Sequence, residues 1–235
     1  PEHWFKTNVV AKVKLHKFLI NQDFLEKYIR ISTPEIYGNS HDVIKEDSLF
    51  DPSTPYAVSQ AAIDMSLKTF FKTYQFPVVF TRFANFYGPF QQIYRIIPKT
   101  ILTAQLKTRL PLHGAGNSKR SFIFHKDVSS GIIKSIENGN IGESYHFSTK
   151  ELISISDLVK KICIKLNVNF DDLVEITDDR LGKDKTYFID FAKANKDINW
   201  YPKFDLDLGI DKTIKWVNEN LTQLKKMPFN YAHKQ

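Results

Sequence analysis

The run Phe76-Pro77-Val78-Val79-Phe80-Thr81-Arg82-Phe83 constrains the fold more than any other stretch of this chain. It has the length of a strand and an almost continuous apolar character, which suits a strand covered on both faces. Before it, Tyr56 to Tyr74 carries apolar residues at the spacing of a long amphipathic helix. Before that, Lys27-Tyr28-Ile29-Arg30-Ile31-Ser32-Thr33 reads as a short strand, preceded by helical periodicity over residues 7–21. The stretch from Asn39 to Pro55, ending in Asp51-Pro52-Ser53-Thr54-Pro55, is turn chemistry. Helix, strand, helix, strand in this order predicts a parallel α/β sheet.

Beyond Pro89 the pattern loosens. Ile97 to Leu106 is read as a helix, Leu110 to Gly114 as a strand running into a turn, and Ser121 to His125 as another strand. Asp127 to Glu137 reads as a helix and Ser144 to Ser148 as a strand. Ser156-Asp157 is expected to cap a helix carrying Cys163. Leu173 to Ile176 and Thr186 to Ile189 are predicted as short strands, and Leu206 to Asn220 as a closing helix. The polar segment from Lys225 to Gln235 is expected to be loosely held. No internal repeat or low-complexity segment is visible.

Composition excludes several classes. At 235 residues, 42% hydrophobic and 25% charged, the chain can bury a core as one large domain or two intimate ones. No apolar run reaches the roughly 18 residues of a membrane span, and no signal peptide is visible. Cys163 is the single cysteine, which rules out an intrachain disulfide and points to a reducing cytoplasm, with the thiol in or near the core. The net charge of +7 is spread among acidic residues without a basic block interleaved with aromatics, so no nucleic-acid partner is expected. The histidines show no metal spacing: His113, His125 and His146 fall on separate predicted strands and His41 in a loop, so no metal site is expected.

Two segments carry chemistry. Ile31-Ser32-Thr33-Pro34-Glu35-Ile36-Tyr37-Gly38 is a strand end bearing a hydroxyl and a carboxylate, and Pro55-Tyr56-Ala57-Val58-Ser59-Gln60 places a phenol on the opening turns of a helix. A Thr hydroxyl, a Glu and a Tyr in one cleft form a proton-transfer set for a substrate oxidised at an alcohol and then deprotonated beside the new carbonyl. Taken singly, each also fits a plainer role: a capping Thr, a solvated Glu, a surface Tyr on an amphipathic helix.

Together with Arg82-Phe83-Ala84-Asn85-Phe86-Tyr87-Gly88-Pro89, these segments resemble the extended short-chain dehydrogenase/reductase superfamily. Within it, the likeness is to nucleotide-sugar 4,6-dehydratases of the dTDP-glucose and GDP-mannose type. The resemblance implies an α/β fold: the C-terminal part of a Rossmann-type doubly wound parallel sheet with a smaller α/β substrate-binding domain. Residues 1–90 would be the later part of the NAD-binding domain. Residues 91–235 would be mainly the nucleotide-sugar-binding domain, with some segments returning to the sheet. Such a sheet opens with a Gly-rich turn that lets a pyrophosphate approach the backbone. None of the nine glycines forms one near the start, so about three βα units, roughly 90 residues, are expected before Pro1.

The same resemblance assigns roles. Thr33 would bond the sugar O4, Glu35 would remove the C5 proton, and Tyr56 would take the hydroxyl proton. Ser32, Tyr56 and Gln60 would contact NAD, and Asn85, Arg120 and Arg180 the nucleotide diphosphate or sugar. A guanidinium fork suits a diphosphate held by its inert end. Asn8 matches a position that supports the active-site water network. Three departures stand out. Pro34 replaces an Asp that helps expel water, so Glu35 is left to act as base and acid. Lys183 stands where a His is frequent. Gln60 holds the position of a Lys whose charge helps the phenol ionise.

The sequence therefore reads as an NAD-dependent nucleotide-diphosphate-sugar 4,6-dehydratase, a cytoplasmic lyase whose 235 residues alone are expected to be inactive. A homodimer through the helices at 7–21 and 56–74 is expected by analogy. A UDP-glucuronate decarboxylase, a nucleotide-sugar 4-epimerase and a non-catalytic nucleotide-sugar binder remain open alternatives.

Overall fold

The computed structural model describes residues 1–40, 42–178 and 186–229. The first helical run comprises α1 (Glu2–Phe5), a π-helical turn over Lys6–Val10, and α2 (Ala11–Leu19). β1 (Tyr28–Ser32) ends in a 3-10 turn, Pro34–Tyr37, capped by Thr33, whose Oγ1 accepts from the Glu35 amide at 3.3 Å. Gly38 closes that turn at φ +67°, where a Cβ would lie 2.1 Å from the Asp51 carbonyl oxygen. Only glycine fits there. The expected loop contains a short strand, β2 (Val43–Ile44). Thr54 caps α3 (Pro55–Tyr74), with Pro at its first position and Gln75 left-handed at its end.

The rest follows the expected order, with local corrections. β3 (Val78–Phe83), β4 (Asn85–Tyr87), α4 (Ile96–Gln105) and β5 (Leu110–His113) come first. The strand expected at 121–125 is shorter: β6 (Lys119–Arg120) and β7 (Phe122–Phe124) precede α5 (His125–Asn138), so His125 opens a helix. Then come β8 (Ser144–Phe147), β9 (Ile153–Ser154) and α6 (Ile155–Leu166). The cap of α6 is Ser154, whose hydroxyl accepts from the Asp157 amide and donates to its carboxylate, two residues before the expected position. α7 (Phe170–Leu173), β10 (Val174–Thr177), β11 (Phe188–Ile189), α8 (Ala192–Ile198) and α9 (Leu206–Leu224) complete the chain. Helices α7 and α8 escaped the sequence reading because each is barely a turn or two long.

Strands β1, β3 and β8 form a parallel sheet in the order β1-β3-β8, with Ser32 opposite Arg82 and Arg82 opposite His146. Parallel pairs β4-β7, β5-β10 and β2-β11 surround it. The α/β class with parallel strands thus stands as expected. Alternation along the strands sorts the residues by face. Val79, Phe83, Tyr145 and Phe147 pack in one cluster with Ala194, Ile198 and Trp200 of and after α8. The other face carries Arg30, Ser32, Arg82 and His146 in neighbouring registers, beneath α3. β3 is buried on both faces, and Arg82 brings a charge onto the face that Val78 and Phe80 otherwise make apolar. A separate cluster joins α4, α6 and α9 through Ile97, Ile101, Leu158, Ile162 and Ile210, and Cys163 packs with β5 and β10.

A single carboxylate ties helix α3 to that polar face. Asp64 Oδ1 accepts from Arg30 Nε at 2.8 Å, and Oδ2 accepts from Arg82 Nη2 at 2.8 Å and from the Ser32 hydroxyl at 2.7 Å. Asp64 and Arg82 are fully buried and Arg30 is 3% exposed. Removing one partner of such a group leaves buried charge uncompensated. Asp64→Ala is therefore expected to destabilise the fold by about 3–5 kcal/mol, read as a lowered urea midpoint; a loss under about 1 kcal/mol, the scale of an exposed pair, would contradict the arrangement.

Two buried histidines add a pH dependence. His16, fully buried, bonds Tyr28 Oη at 3.1 Å through Nε2 while its Nδ1 has no hydrogen-bond partner among the described residues. Burial, with Arg30 and Lys12 nearby, lowers its pKa from 6.5 to about 4. His146, hydrogen bonded to Tyr37 Oη at 2.9 Å, is held well below 6.5, chiefly by burial and then by Arg82. In the unfolded chain both take up a proton near pH 6.5, while folded His16 stays neutral to about pH 4. The unfolded state then binds more protons, so stability falls as pH drops through that window. For His16 the loss amounts to roughly 3 kcal/mol. His16→Phe should flatten this acid branch when urea midpoints are compared across the window; an unchanged slope would refute it.

Candidate active site

The site assembles at the carboxyl ends of β1 and β3, where α/β sheets hold ligands. Strand β1 delivers Ser32 and Thr33, and the 3-10 turn behind them turns Glu35 toward the opening of α3. Proline at the first position of that turn fixes its entry. Pro34 is buried, so the position leaves no second acid beside Glu35.

Tyr56 lies on the first turn of α3, half-buried, with the Trp4 ring edge-on at 5.0 Å between centroids. Its pKa is raised, first by burial and then by the nearby Glu35 carboxylate; Arg30, Arg95 and a hydrogen bond from Gln60 pull it back down. Glu35 and Tyr56 are thus close enough to feel each other. Thr33 stands beside Glu35, its Oγ1 accepting from the Glu35 amide.

Gln60 follows one helical turn later on the same side, and Asp64 one turn after that. Gln60 is 7% exposed, and its Oε1 accepts from Arg30 Nη2 at 2.5 Å. Arg30 also donates to Asp64 and to the Ile31 carbonyl. Ser32 spends its hydroxyl on Asp64. Arg30, Asp64 and Arg82 were not singled out by sequence reasoning as site residues. A signal was present for one of them: Arg82 sits inside a strand predicted to be covered on both faces, and a buried charge requires an opposite partner. Asp64 stands on the inner stripe of α3, four residues beyond Gln60.

Asn8 lies in the π-helical turn, a feature frequent at functional sites. Its Nδ2 donates to Ser59 Oγ at 3.0 Å, and Ser59 Oγ donates to the Tyr56 carbonyl at 2.7 Å. The first helical run is thereby tethered to the turn that carries the phenol.

A second group forms around Tyr187, which the sequence reading placed only in a strand. Asn85 Nδ2 donates to Tyr187 Oη at 3.3 Å, and the Arg120 guanidinium lies over the Tyr187 ring at 4.6 Å. Tyr187 also packs with Ile36 and Tyr37 of the 3-10 turn. Asn85 and Arg120 therefore meet through one aromatic ring that is anchored to the segment carrying Glu35. Arg180, Lys183 and His41 lie outside the described residues. Among the described residues no group of three or more His, Cys, Asp or Glu could hold a metal ion, and no helix is long and apolar enough to cross a membrane.

The sequence pattern of the GDP-mannose 4,6 dehydratase family matches residues 1–213. A probable dTDP-glucose 4,6-dehydratase of Sinorhizobium fredii is 33% identical over 208 residues, covering 85% of this chain and 59% of that protein. The dTDP-D-glucose 4,6-dehydratase of Bos taurus is 34% identical over 207 residues, covering 86% and 58%. The chain thus spans about three fifths of the length of these relatives. Among solved structures, dTDP-glucose 4,6-dehydratase from Bacillus anthracis in complex with NAD superimposes with a TM-score of 0.90 at 30% identity, covering 94% of this chain and 71% of that one. A UDP-glucuronic acid 4-epimerase from Bacillus cereus shares the fold, with a TM-score of 0.85 at 23% identity over 90% of this chain and 67% of that one. The family pattern runs through the strand-end motif, the Tyr56 helix, and the Asn85 and Arg120 segments, so the chain belongs to the GDP-mannose 4,6 dehydratase family.

Proposed function

We propose that the full-length protein is an NAD-dependent nucleotide-diphosphate-hexose 4,6-dehydratase. The observation that carries this is the convergence of Glu35 and Tyr56, two groups suited to exchange protons, at the carboxyl edge of a parallel sheet. The relatives named above bear dehydratase names, which points the same way. A solved relative holds NAD. The groups here fit that cofactor: Ser32, its hydrogen given to Asp64, keeps oxygen lone pairs that can accept, Thr33 stands beside it at the strand end, and the Gln60 amide nitrogen has a hydrogen left over from its bond to Tyr56 for a ribose hydroxyl. Bound there, NAD would supply reversible hydride acceptance, by which hydrogen would pass from C4 to C6 of the sugar.

The chain's own residues do the rest. Thr33 Oγ1 holds the sugar O4, and Tyr56 Oη takes the O4 proton. Oxidation acidifies C5, whose proton passes to the Glu35 carboxylate. With Pro34 beside it, the same Glu35 then gives that proton to the departing C6 hydroxyl, which leaves as water; C5 regains a proton from solvent, matched by the O4 proton that Tyr56 releases. Asn85 and Arg120, bridged by Tyr187, and Arg180 bind the nucleotide diphosphate.

The division into a cofactor domain over 1–90 and a sugar-nucleotide domain over most of 91–235 follows the same reading. β8 would be a segment that returns to the first sheet. Without a Gly-rich turn these 235 residues by themselves are expected to bind no NAD. A cytoplasmic homodimer fits as well: Val10, Leu15 and Phe18 on the first helical run and Val58 and Met65 on α3 are exposed.

The test incubates the full-length protein with dTDP-, GDP- and UDP-hexoses and with UDP-glucuronate, and follows product mass. Loss of water to a 4-keto-6-deoxy sugar is expected. Loss of carbon dioxide would instead mark a decarboxylase, and a product of unchanged mass an epimerase. Glu35→Gln and Tyr56→Phe should each lower kcat by about 10²–10⁴-fold. Arg120→Ala should act mainly by raising KM, since it grips a part of the substrate that does not react; an equal fall in kcat would move Arg120 from binding to chemistry.

A further inference from the structure

A phenol acting as base near neutral pH needs help, because its ordinary pKa is near 10. In this site burial and Glu35 both oppose ionisation of Tyr56. The helix residue one turn on is Gln60, which carries no charge. We propose that Arg30 serves as the positioning cation for the Tyr56 phenol, relayed through the Gln60 side-chain amide; the inference rests on the dehydratase reading above for its chemical consequence.

The geometry runs in one line. Tyr56, Gln60 and Asp64 stand at successive turns of α3, on the side that faces β1. Arg30 projects from β1 with Nε on Asp64 Oδ1 at 2.8 Å, Nη1 on the Ile31 carbonyl at 2.5 Å and Nη2 on Gln60 Oε1 at 2.5 Å. Because the Gln60 oxygen faces a guanidinium, its nitrogen is the atom left to face the phenol. The amide therefore donates to Tyr56 Oη, and the guanidinium polarises it. A donor to the phenol oxygen favours the anion over the neutral form.

The charge count supports the direction. Asp64 is shared by two guanidiniums, Arg30 and Arg82, so the buried cluster keeps one surplus positive charge. Arg82 is turned elsewhere: its guanidinium lies over the rings of Tyr37 and Phe50 at 5.5 Å and of Phe80 at 6.0 Å. Arg30 alone points at Gln60. Lys12 on α2 also faces Arg30 and Asp64, and burial and then Arg30 lower its pKa to about 8. The groups acting on Tyr56 itself are Glu35 from the 3-10 turn, Arg30 from β1, Arg95 ahead of α4 and Gln60 on its own helix. Arg95 is exposed, so water and salt screen it. Arg30 acts from the interior, where screening is weak.

The arrangement makes a counter-intuitive forecast for Gln60→Lys. In the native protein it would set an ammonium against the Arg30 guanidinium, two cations in contact. In an Arg30→Met background the same ammonium would stand alone beside Tyr56.

The experiment uses the full-length protein and two readouts. Ring-labelled tyrosine is titrated by NMR, with the Tyr56 signal identified by its loss in Tyr56→Phe, and the pH dependence of turnover is recorded in parallel. Arg30→Met should raise the Tyr56 titration midpoint, and with it the basic-side requirement of the rate profile, by about one unit or more. That corresponds to about tenfold less activity below the midpoint. Arg30→Lys should recover part of the shift. Gln60→Lys should impair the native protein yet rescue Arg30→Met. Gln60→Met, which cuts the relay while leaving the Arg30–Asp64 pair, should also raise the midpoint and serves if Arg30→Met does not fold.

A Tyr56 midpoint unmoved in folded Arg30→Met or Gln60→Met overturns the proposal, as does Gln60→Lys improving the native enzyme as much as the Arg30→Met variant. The NMR readout needs no turnover. A shifted midpoint without dehydration of any hexose would sink the functional reading alone, and dehydration without a shift would sink this inference alone.

Discussion

The structure hangs on one buried carboxylate. Asp64 reaches from the inner side of α3 to Arg30 on β1, Arg82 on β3 and the Ser32 hydroxyl, so four side chains from three elements share two oxygens. Ordinary apolar packing between a helix and a sheet tolerates small slides, because dispersion has little direction. Charge-assisted bonds do not. The bridge therefore fixes where α3 stands along the sheet, and with it the height of Tyr56 above the ends of β1 and β3. Asn8 adds a tether from the other side through Ser59. A proton-transfer residue on a helix is only as well placed as the helix, and here the helix is pinned by polar contacts on two flanks.

How much of this was legible in the sequence depends on the range of the interactions. The strand–helix–strand order came from local periodicity, and the main elements lie within a few residues of expectation. Thr33, Glu35 and Tyr56 were visible because the features that place them are local: a strand end, a 3-10 turn closed by Gly38, a helix start capped by Thr54. The partners of those residues were not visible as partners. Arg30 and Asp64 lie 34 residues apart, and Asn85 and Tyr187 lie 102 apart. No period or motif links residues at such separations. What the sequence did offer was incongruity: an arginine, Arg82, inside a strand that otherwise read as buried on both faces. Taken as a demand for a counter-charge, that incongruity would have led to the inner stripe of α3. The π turn around Asn8 was illegible for another reason, since it displaces the helical pattern by a single residue.

In the proposed function, the second group of residues ties a binding surface to a reaction centre. Tyr187 takes a hydrogen bond from Asn85, lies under the Arg120 guanidinium and packs against Ile36 and Tyr37, next to Glu35. One aromatic ring thus couples Asn85 and Arg120 with the segment that carries Glu35. Stacking on the ring also restricts an otherwise long, flexible arginine, which lowers the entropy lost when it closes on an anion. Holding a substrate by its inert end pays off only if that grip is rigid relative to the reacting atoms. Tyr187 supplies that rigidity through its packing against Ile36 and Tyr37.

Gln60, where the family resemblance implies a lysine, is best understood as a relocation of charge. An ammonium on a flexible stem can follow the phenol and a ligand alike. The Arg30 guanidinium is held by three acceptors and cannot follow anything. Its influence on Tyr56 is a fixed field, set by the sheet and delivered through an amide whose orientation the same guanidinium imposes. Such a field is present before any ligand arrives, so no reorganisation is needed when the phenol gives up its proton. The cost is paid in packing freedom: Gln60, Asp64 and Arg82 must all keep their places for Arg30 to keep its own. A site built this way cannot regain the lysine by a single substitution, because the position is already covered by positive charge.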